Sequence, residues 1–225
     1  MRYYPVFLNL EKKHCLVVGA GEVGRRKAQS LLDSGAGGVT VIDTADPGRD
    51  MAWLLECGKV RFERREFRES DLDGVFMVIA STSNHEVNQR IGALCDERGI
   101  LCNIADLPEQ CSFIVPASIR RGDLTVAIST AGSSPALAKR IRRELQESFG
   151  DEYAQLLSIM GALRPMMLGL GLETKENTAV FRQLANSNLL EVLASGDLDA
   201  AAEILKETLP PSLHDNIPEL LNGIV

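Results

Sequence analysis

A glycine-rich loop is the clearest chemical feature of the sequence. Gly19, Gly21 and Gly24 follow an apolar run at residues 15–18 in the spacing Gly-x-Gly-x-x-Gly, and a helical pattern starts within the loop. This arrangement predicts a tight turn, close approach of a pyrophosphate to the backbone, and free helix N–H groups facing the phosphate oxygens. A glycine turn that binds no nucleotide is the alternative.

Asp43 adds a predicted ribose contact to that loop. It ends the next predicted strand, 19 residues after Gly24, where a carboxylate accepts hydrogen bonds from the adenosine ribose hydroxyls. Because a carboxylate there repels a 2′-phosphate, the pattern favours NAD over NADP. A flavin or a nucleotide sugar would use the same kind of loop, so the loop indicates the class of ligand better than the reaction.

Polar residues follow the fourth predicted strand. Ser81 and Thr82 should lie at the carboxyl edge of the sheet beside the cofactor, because ligands of open α/β sheets bind in the crevice at that edge. Asn84 and Asn88 are candidates for contacts with the substrate. The alternative is that Ser83 or Asn84 caps the helix that follows.

A single carboxylate follows the fifth predicted strand. Asp106 stands just beyond residues 101–104, again at the carboxyl edge, where it could transfer a proton or coordinate a metal ion. The alternative is a turn or capping residue ahead of Pro108.

The charge of the chain is unevenly distributed. The formal net charge of −7 argues against general nucleic-acid binding, but it divides into −3 for residues 1–111, +5 for residues 112–143 and −9 for residues 144–225. The basic segment includes Arg120 and Arg121, whose guanidinium groups are suited to carboxylates. The sequence therefore predicts an anionic ligand or an acidic surface as the partner of this segment.

The cysteines and histidines predict neither a disulfide framework nor a stable metal site. The five cysteines include no Cys-x-x-Cys pair, and several stand in apolar runs where a thiol packs as a small hydrophobic group. The three histidines are too scattered for a metal cluster or a catalytic triad. We expect no stably bound metal, with Asp106 as a candidate transient ligand.

Alternating strand and helix patterns predict a Rossmann-type α/β domain with a parallel sheet. Its helices should close at Gly35, Gly58 and Gly99, which stand where C′ glycines are expected. The predicted strands are residues 15–18, 39–43, 60–64, 77–80 and 101–104, and the predicted helices are residues 23–34, 49–57 and 87–98.

After residue 108 the pattern changes. Residues 112–116 and 124–129 predict two strands joined by a turn at residues 120–123, and Ser134 is expected to cap a helix over residues 136–149 that begins beside Pro135. From residue 151 onward the pattern is helical, with breaks expected at Pro165 and other prolines and glycines. We predict a dinucleotide-binding domain at 1–111, a small α+β dimerisation region at 112–149 and a helical domain at 150–225.

The bulk composition fits a soluble globular protein. The chain has 225 residues, of which 45% are hydrophobic and 24% are charged. No apolar run approaches the roughly 18 residues that a transmembrane helix needs, and the N-terminus lacks a signal-peptide core. We therefore expect a cytoplasmic protein with no membrane partner.

Five stretches of the sequence together resemble the precorrin-2 dehydrogenase module of siroheme synthases. They carry Pro-Val-Phe-Leu-Asn-Leu before the first strand, Arg-Arg-Lys-Ala after the glycine loop, Val-Asn-Gln-Arg, Asn-Ile-Ala-Asp with Ser-Phe-Ile-Val-Pro, and Gly-Ser-Ser-Pro-Ala-Leu-Ala. The resemblance covers about residues 3–150, and the acidic tail matches only loosely. The stretches are residues 5–10, 15–32, 80–90, 102–116 and 126–138.

The resemblance implies NAD-dependent oxidation of precorrin-2 to sirohydrochlorin, with possible insertion of Fe²⁺ into the product. It assigns the key carboxylate to Asp106, and it implies cofactor contacts at Glu22, Val23, Thr44 and Ala45. It also implies a homodimer formed through the region after Asp106 and a helical part that helps to form the tetrapyrrole cleft. The substrate has eight carboxylates, which gives the basic segment with Arg120 and Arg121 a purpose.

Two other functions remain open at this stage. A non-catalytic NAD-binding regulatory module would share the glycine loop and Asp43 but would not need Asp106 or the basic segment. A different small-molecule dehydrogenase would share the fold. Thr130 stands where some relatives have a serine that can be phosphorylated, so the sequence does not predict that regulation here.

Overall fold

Two units make up the described part of the chain. The computed structural model describes residues 3–223, apart from the side chains of residues 49 and 50. One unit ends at Val115 and the other begins at Pro116. The finer division at residues 111 and 149 stays a prediction.

A five-stranded parallel sheet forms the centre of the first unit, in the order β3-β2-β1-β4-β5. Parallel sheets are covered on both faces, and every residue of β4 is accordingly buried. The five predicted strands are confirmed, and three of them have the predicted first and last residues. They are β1 (His14–Val18), β2 (Gly38–Asp43), β3 (Val60–Arg64), β4 (Met77–Ala80) and β5 (Leu101–Ile104).

Three helices cover the two faces of this sheet: α1 (Glu22–Asp33), α2 (Gly48–Glu56) and α3 (His85–Arg98). Alternate residues of β1 point into two separate clusters, because successive strand side chains face opposite sides. Val17 packs with Ala28 of α1 and Leu54 of α2, whereas Leu16 packs with Ile91 of α3. Positive φ angles at the three predicted C′ glycines end the helices as expected.

The hairpin of the second unit starts later than predicted. Residues 112–116 form no strand; instead β6 (Ala117–Arg121) pairs antiparallel with β7 (Leu124–Ile128). The apolar run at residues 112–116 resembles a strand, but its Phe113 side chain packs against the core of the first unit's sheet without strand pairing. Pro116 has no N–H to give to a ladder, so regular pairing begins after it.

Six helices follow the hairpin in the described chain. They are α4 (Pro135–Ser148), α5 (Glu152–Gly169), α6 (Thr174–Asn186), α7 (Leu189–Ser195), α8 (Leu198–Thr208) and α9 (Ile217–Asn222). Their core includes Leu163 and Met167 of α5 with Leu205 of α8. The expected break at Pro165 is wrong, since Pro165 lies inside α5. Burial of Leu163 and Met167 on either side of Pro165 keeps the helix continuous although one backbone hydrogen bond is missing.

No helix within residues 3–223 is long and apolar enough to cross a membrane. The fold class predicted from the sequence, a Rossmann-type sheet domain followed by a small α+β region and a helical region, is confirmed.

Candidate active site

The carboxyl edge of the sheet brings the segments after β1, β4 and β5 side by side. Backbone hydrogen bonds continue one residue past each strand: Gly19 donates to Ile42, Ser81 to Val18 and Ala105 to Ala80, at 2.8, 2.8 and 3.0 Å. Between β1 and β4 the strand order reverses, which is the crevice where open α/β sheets bind ligands.

The glycine loop fits a pyrophosphate. Gly19 has φ +104°, and a Cβ there would lie 2.6 Å from the backbone of Ser81, while a Cβ on Gly24 would lie 1.8 Å from the Gly19 carbonyl oxygen. Gly21 has open space where a Cβ would be, and α1 begins with no side chain capping its N–H groups. The first and third glycines therefore serve packing, and the second leaves room for phosphate oxygens at the helix start. Glu22 and Val23 are exposed there.

Asp43 ties the glycine loop to the end of β2. Its Oδ2 accepts a hydrogen bond from the Ala20 N–H at 2.5 Å, and its Oδ1 accepts one from Ala45 N–H at 2.9 Å. A carboxylate has acceptor positions for about four hydrogen bonds, so two remain for ribose hydroxyls. Thr44 and Ala45 are exposed beside it, as a cofactor contact requires.

Asn88 is 1% exposed and is the only polar residue that is buried in the part of the chain that the structure describes. Its Oδ1 accepts from the Thr82 hydroxyl at 2.7 Å and from the Thr82 N–H at 3.2 Å, and its Nδ2 donates to the Thr82 carbonyl oxygen at 3.0 Å. All three polar groups of Thr82 are thus held by one carboxamide. Because Ser81 and Thr82 pack against Gly19, Asn88 indirectly supports the glycine loop.

The other polar residues after β4 have structural contacts. Asn84 caps α3, accepting hydrogen bonds from the backbone N–H groups of Glu86 and Val87 at 3.0 and 3.2 Å. The Ser81 hydroxyl lies 3.3 Å from the carbonyl oxygens of both Val18 and Gly19. Contacts of Asn84 and Asn88 with a substrate stay predictions.

Asp106 is exposed in the turn after β5, and the Cys111 thiol closes its loop. The Ile104 N–H donates to the Cys111 sulfur at 3.1 Å, and that sulfur lies 3.3 Å from the carbonyl oxygens of both Ile104 and Leu107. The two ends of the loop are therefore held together while the carboxylate at its tip stays open to solvent. This arrangement suits a carboxylate that exchanges a proton with a bound molecule.

The two predicted substrate arginines point to opposite faces of β6, because they are neighbours on a strand. Arg121 donates to the backbone carbonyl oxygen of Gln146 at 3.3 Å and lies 3.5 Å from an oxygen of Asp151. Arg120 is exposed on the other face. Arg121 is only partly exposed, whereas Arg120 is exposed, so Arg120 is the more accessible of the two to an external carboxylate.

Lys27 is a residue that the sequence reasoning left without a role. It lies on α1 three residues after Gly24, and it is half-buried. Burial, followed by the charge of Arg26, lowers the pKa of the Lys27 amine. The Arg-Arg-Lys-Ala stretch was the available signal, but its three cations could not be told apart by sequence.

Within the described residues no group of three or more His, Cys, Asp and Glu side chains could hold a metal ion. All five cysteines are free, and Cys15, Cys95 and Cys102 are buried. Burial raises the pKa of the Cys15 thiol to about 11, so it remains protonated and packs as a hydrophobic group at neutral pH.

Comparison with known proteins agrees with this geometry. A family model described as putative NAD(P)-binding matches residues 6–117, and one described as sirohaem biosynthesis protein central matches residues 121–148. The fold, the glycine loop and these matches define a Rossmann-type NAD(P)-binding protein, and the predicted dinucleotide cofactor is confirmed at that level.

Curated relatives and solved structures give the family. The chain is 34% identical to a siroheme synthase of Enterobacter sp. (strain 638), over 99% of this chain and 49% of the relative, and 35% identical to one of Citrobacter koseri, over 95% and 46%. It matches the structure of SirC, precorrin-2 dehydrogenase, with a TM-score of 0.75 and 26% identity, over 92% of this chain and 98% of that one. The chain spans about half the length of the curated relatives. It belongs to the precorrin-2 dehydrogenase family, the dehydrogenase module of siroheme synthases, as the resemblance predicted.

Proposed function

We propose that this chain oxidises precorrin-2 to sirohydrochlorin with NAD⁺. The observation that carries the proposal is the match to SirC, a precorrin-2 dehydrogenase, over nearly the whole of both chains. Because the match covers 92% of this chain, it extends beyond the dinucleotide-binding unit that ends at Val115.

Different residues at the carboxyl edge bind the cofactor and accept the proton. The glycine loop and the start of α1 hold the pyrophosphate, and Asp43 accepts hydrogen bonds from the ribose and excludes a 2′-phosphate. NAD⁺ supplies a hydride acceptor when bound. Oxidation of the macrocycle removes a hydride and a proton, and Asp106 accepts that proton.

The substrate is bound through its carboxylates. The +5 charge of residues 112–143 raises the local concentration of a polyanion, and Arg120 on the exposed face of β6 offers a planar donor pair to one carboxylate. Arg121 supports the hairpin through Gln146 and Asp151 instead.

The active form is a homodimer in the cytoplasm. Helix α4 has apolar residues on one side but buries none of them, and Leu137 is 47% exposed. A second copy covering this face would bury the apolar side of α4. Three buried free thiols, those of Cys15, Cys95 and Cys102, fit a reducing compartment.

The direct test is an anaerobic assay with precorrin-2 and NAD⁺ that follows sirohydrochlorin absorbance. Asp106→Asn should slow oxidation by about 100-fold, because a positioned acid or base contributes 10²–10⁴-fold, while the affinity for NAD⁺ stays the same. Glu109→Gln, a change at an exposed carboxylate in the same loop, is the control and should keep the wild-type rate.

One result would overturn the proposed oxidation, and another would overturn only the role of Asp106. If wild-type protein binds NAD⁺ but forms no sirohydrochlorin, the non-catalytic NAD-binding module is the better description. If Asp106→Asn keeps the wild-type rate, Asp106 is a turn residue and the proton acceptor lies elsewhere.

Insertion of Fe²⁺ into sirohydrochlorin is a second candidate activity, favoured by the relatives named siroheme synthase. Fe²⁺ is a substrate of this reaction, and Asp106 is the exposed carboxylate that would coordinate it transiently. Adding Fe²⁺ to the completed oxidation should change the absorbance to that of siroheme, and Asp106→Ala should abolish this change. If Fe²⁺ enters sirohydrochlorin no faster with the protein than in buffer alone, this second activity is excluded.

A further inference from the structure

Cations are concentrated around two adjoining cavities in the helical part of the second unit. Residues 144–225 carry a net charge of −9 and only four basic side chains. Three of these four line the cavities, which share Thr174 and Thr178. The three are Arg164 on α5 and Lys175 and Arg182 on α6.

The three cations have no ion-pair partner within residues 3–223, although the segment has many acidic side chains. The fourth basic residue, Lys206, is paired with Glu203 at 2.6 Å. Arg164 instead lies over the ring of Phe181, with 5.4 Å from the guanidinium carbon to the ring centroid. This contact pairs no N–H donor of Arg164 with an oxygen acceptor, so those donors can bind a ligand at the cavity wall.

Asn177 is a second polar side chain in the cavity that Arg164 lines. Its Nδ2 donates to the Leu172 carbonyl oxygen at 3.5 Å, while its Oδ1 is buried without a hydrogen-bond partner in the described structure. Rotating the carboxamide so that its nitrogen and oxygen exchange places would not satisfy the amide. Its oxygen would then face the Leu172 carbonyl oxygen, which cannot donate a hydrogen bond. A buried acceptor left unpaired loses its hydration without replacement, so it points to a ligand that brings an O–H or N–H donor.

The size of this cavity limits the ligand. It has a volume of about 300 Å³, at the lower end of the range for ligand sites, and its walls include the apolar side chains of Met167 and Leu168. At about 30 Å³ per water molecule, this space holds on the order of ten water-sized groups. A small metabolite fits these dimensions, whereas a tetrapyrrole macrocycle does not.

We propose that the cavity between α5 and α6 binds a small carboxylate that also carries a hydroxyl or amino group. Arg164 pairs with the carboxylate, Asn177 accepts the hydrogen bond of the adjacent donor, and Lys175 and Arg182 add favourable charge along α6. This site does not depend on the proposed oxidation of precorrin-2, and its test contains no tetrapyrrole.

Two probes that differ by one hydroxyl test the site: L-malate and succinate. Each is titrated into the full-length protein while backbone amide shifts of α5 and α6 are followed by NMR. We expect a saturable shift centred on residues 164–182, with malate binding about tenfold more tightly than succinate because only malate brings a hydroxyl to Asn177 Oδ1; tenfold corresponds to about 1.4 kcal/mol.

Arg164→Gln should weaken malate binding by about tenfold, the loss expected for one charge-assisted hydrogen bond. Lys206→Gln is the matched control, since it removes one positive charge from the same unit outside the cavities. Equal weakening by both substitutions would show that malate only responds to the overall charge and would overturn the site.

The Asn177→Leu variant tests the contribution of the carboxamide to binding separately from that of the cations. Leucine has a similar size and removes the unpaired acceptor, so the thermal midpoint should rise while the preference for malate over succinate disappears. A retained preference, the absence of saturable shifts with either acid, or tighter binding of inorganic phosphate than of malate would each contradict the proposal.

Discussion

At the residue scale, the candidate active site depends on side chains that hold backbone segments as well as on those that face a ligand. Asp43 and Asn88 both hold such segments, since each makes at least two hydrogen bonds to a loop at the carboxyl edge. Substitutions at these two positions should therefore both weaken cofactor binding.

Asp43→Ala should weaken NAD⁺ binding by about tenfold, because it removes charge-assisted hydrogen bonds to the ribose and the anchor of Ala20. The same change should narrow the preference for NAD⁺ over NADP⁺, since the charge that repels a 2′-phosphate is gone. Titration calorimetry with both dinucleotides measures the two effects. Asp46→Ala, at an exposed neighbour paired with Arg64, is the control, and unchanged affinity in Asp43→Ala would contradict the ribose assignment.

Asn88→Ala should also weaken NAD⁺ binding, by up to about tenfold, because the three polar groups of Thr82 lose their partner beside Gly19. Asn84→Ala removes only the α3 cap, at a cost of about 1 kcal/mol in the free energy of unfolding, and should leave NAD⁺ affinity close to wild type. If Asn88→Ala instead raised the KM for precorrin-2 at unchanged NAD⁺ affinity, Asn88 would be a substrate contact.

At the element scale, local signals and packing contribute differently to helix boundaries. Ser134 accepts a hydrogen bond from the Leu137 N–H at 3.2 Å, and Pro135 occupies the first helical position, so the start of α4 follows the sequence signal. Pro165 lies within α5, where packing overrides the signal for a break.

Ser134→Ala should lower the free energy of unfolding by about 1 kcal/mol, because α4 loses its N-cap. Urea denaturation followed by circular dichroism measures the change. Ser133→Ala, one residue earlier and without a capping contact, should have little effect; equal losses in both variants would argue against the cap.

At the scale of the whole molecule, the exposed Leu137 on α4 is one apolar side chain that a single copy leaves uncovered. Leu137→Glu should convert a dimer to a monomer, because a carboxylate would be buried in the shared surface. Light scattering after size-exclusion chromatography measures the mass. Leu198→Glu, at a 38% exposed leucine on α8, should remain dimeric. A wild-type monomer, or a dimeric Leu137→Glu variant, would exclude α4 as the interface.

The sequence by itself determined the local features of this protein. The glycine loop, the five strands of the sheet, the C′ glycines and the Ser134 cap all depend on residues close together in the chain, where backbone sterics and short-range hydrogen bonds decide the outcome. The family also followed from motifs that are contiguous in sequence.

Only the tertiary structure decided which polar groups meet. The sequence did not show that Asn88 is buried against Thr82, and it did not distinguish Arg120 from Arg121, which β6 places on opposite faces. The strand predicted at residues 112–116 failed because Phe113 packs against a sheet formed by distant segments. Likewise, no pattern along the chain shows that Arg164 and Asn177 line one cavity. Burial and hydrogen bonding between distant residues are properties of the packed chain, so spacing alone does not specify them.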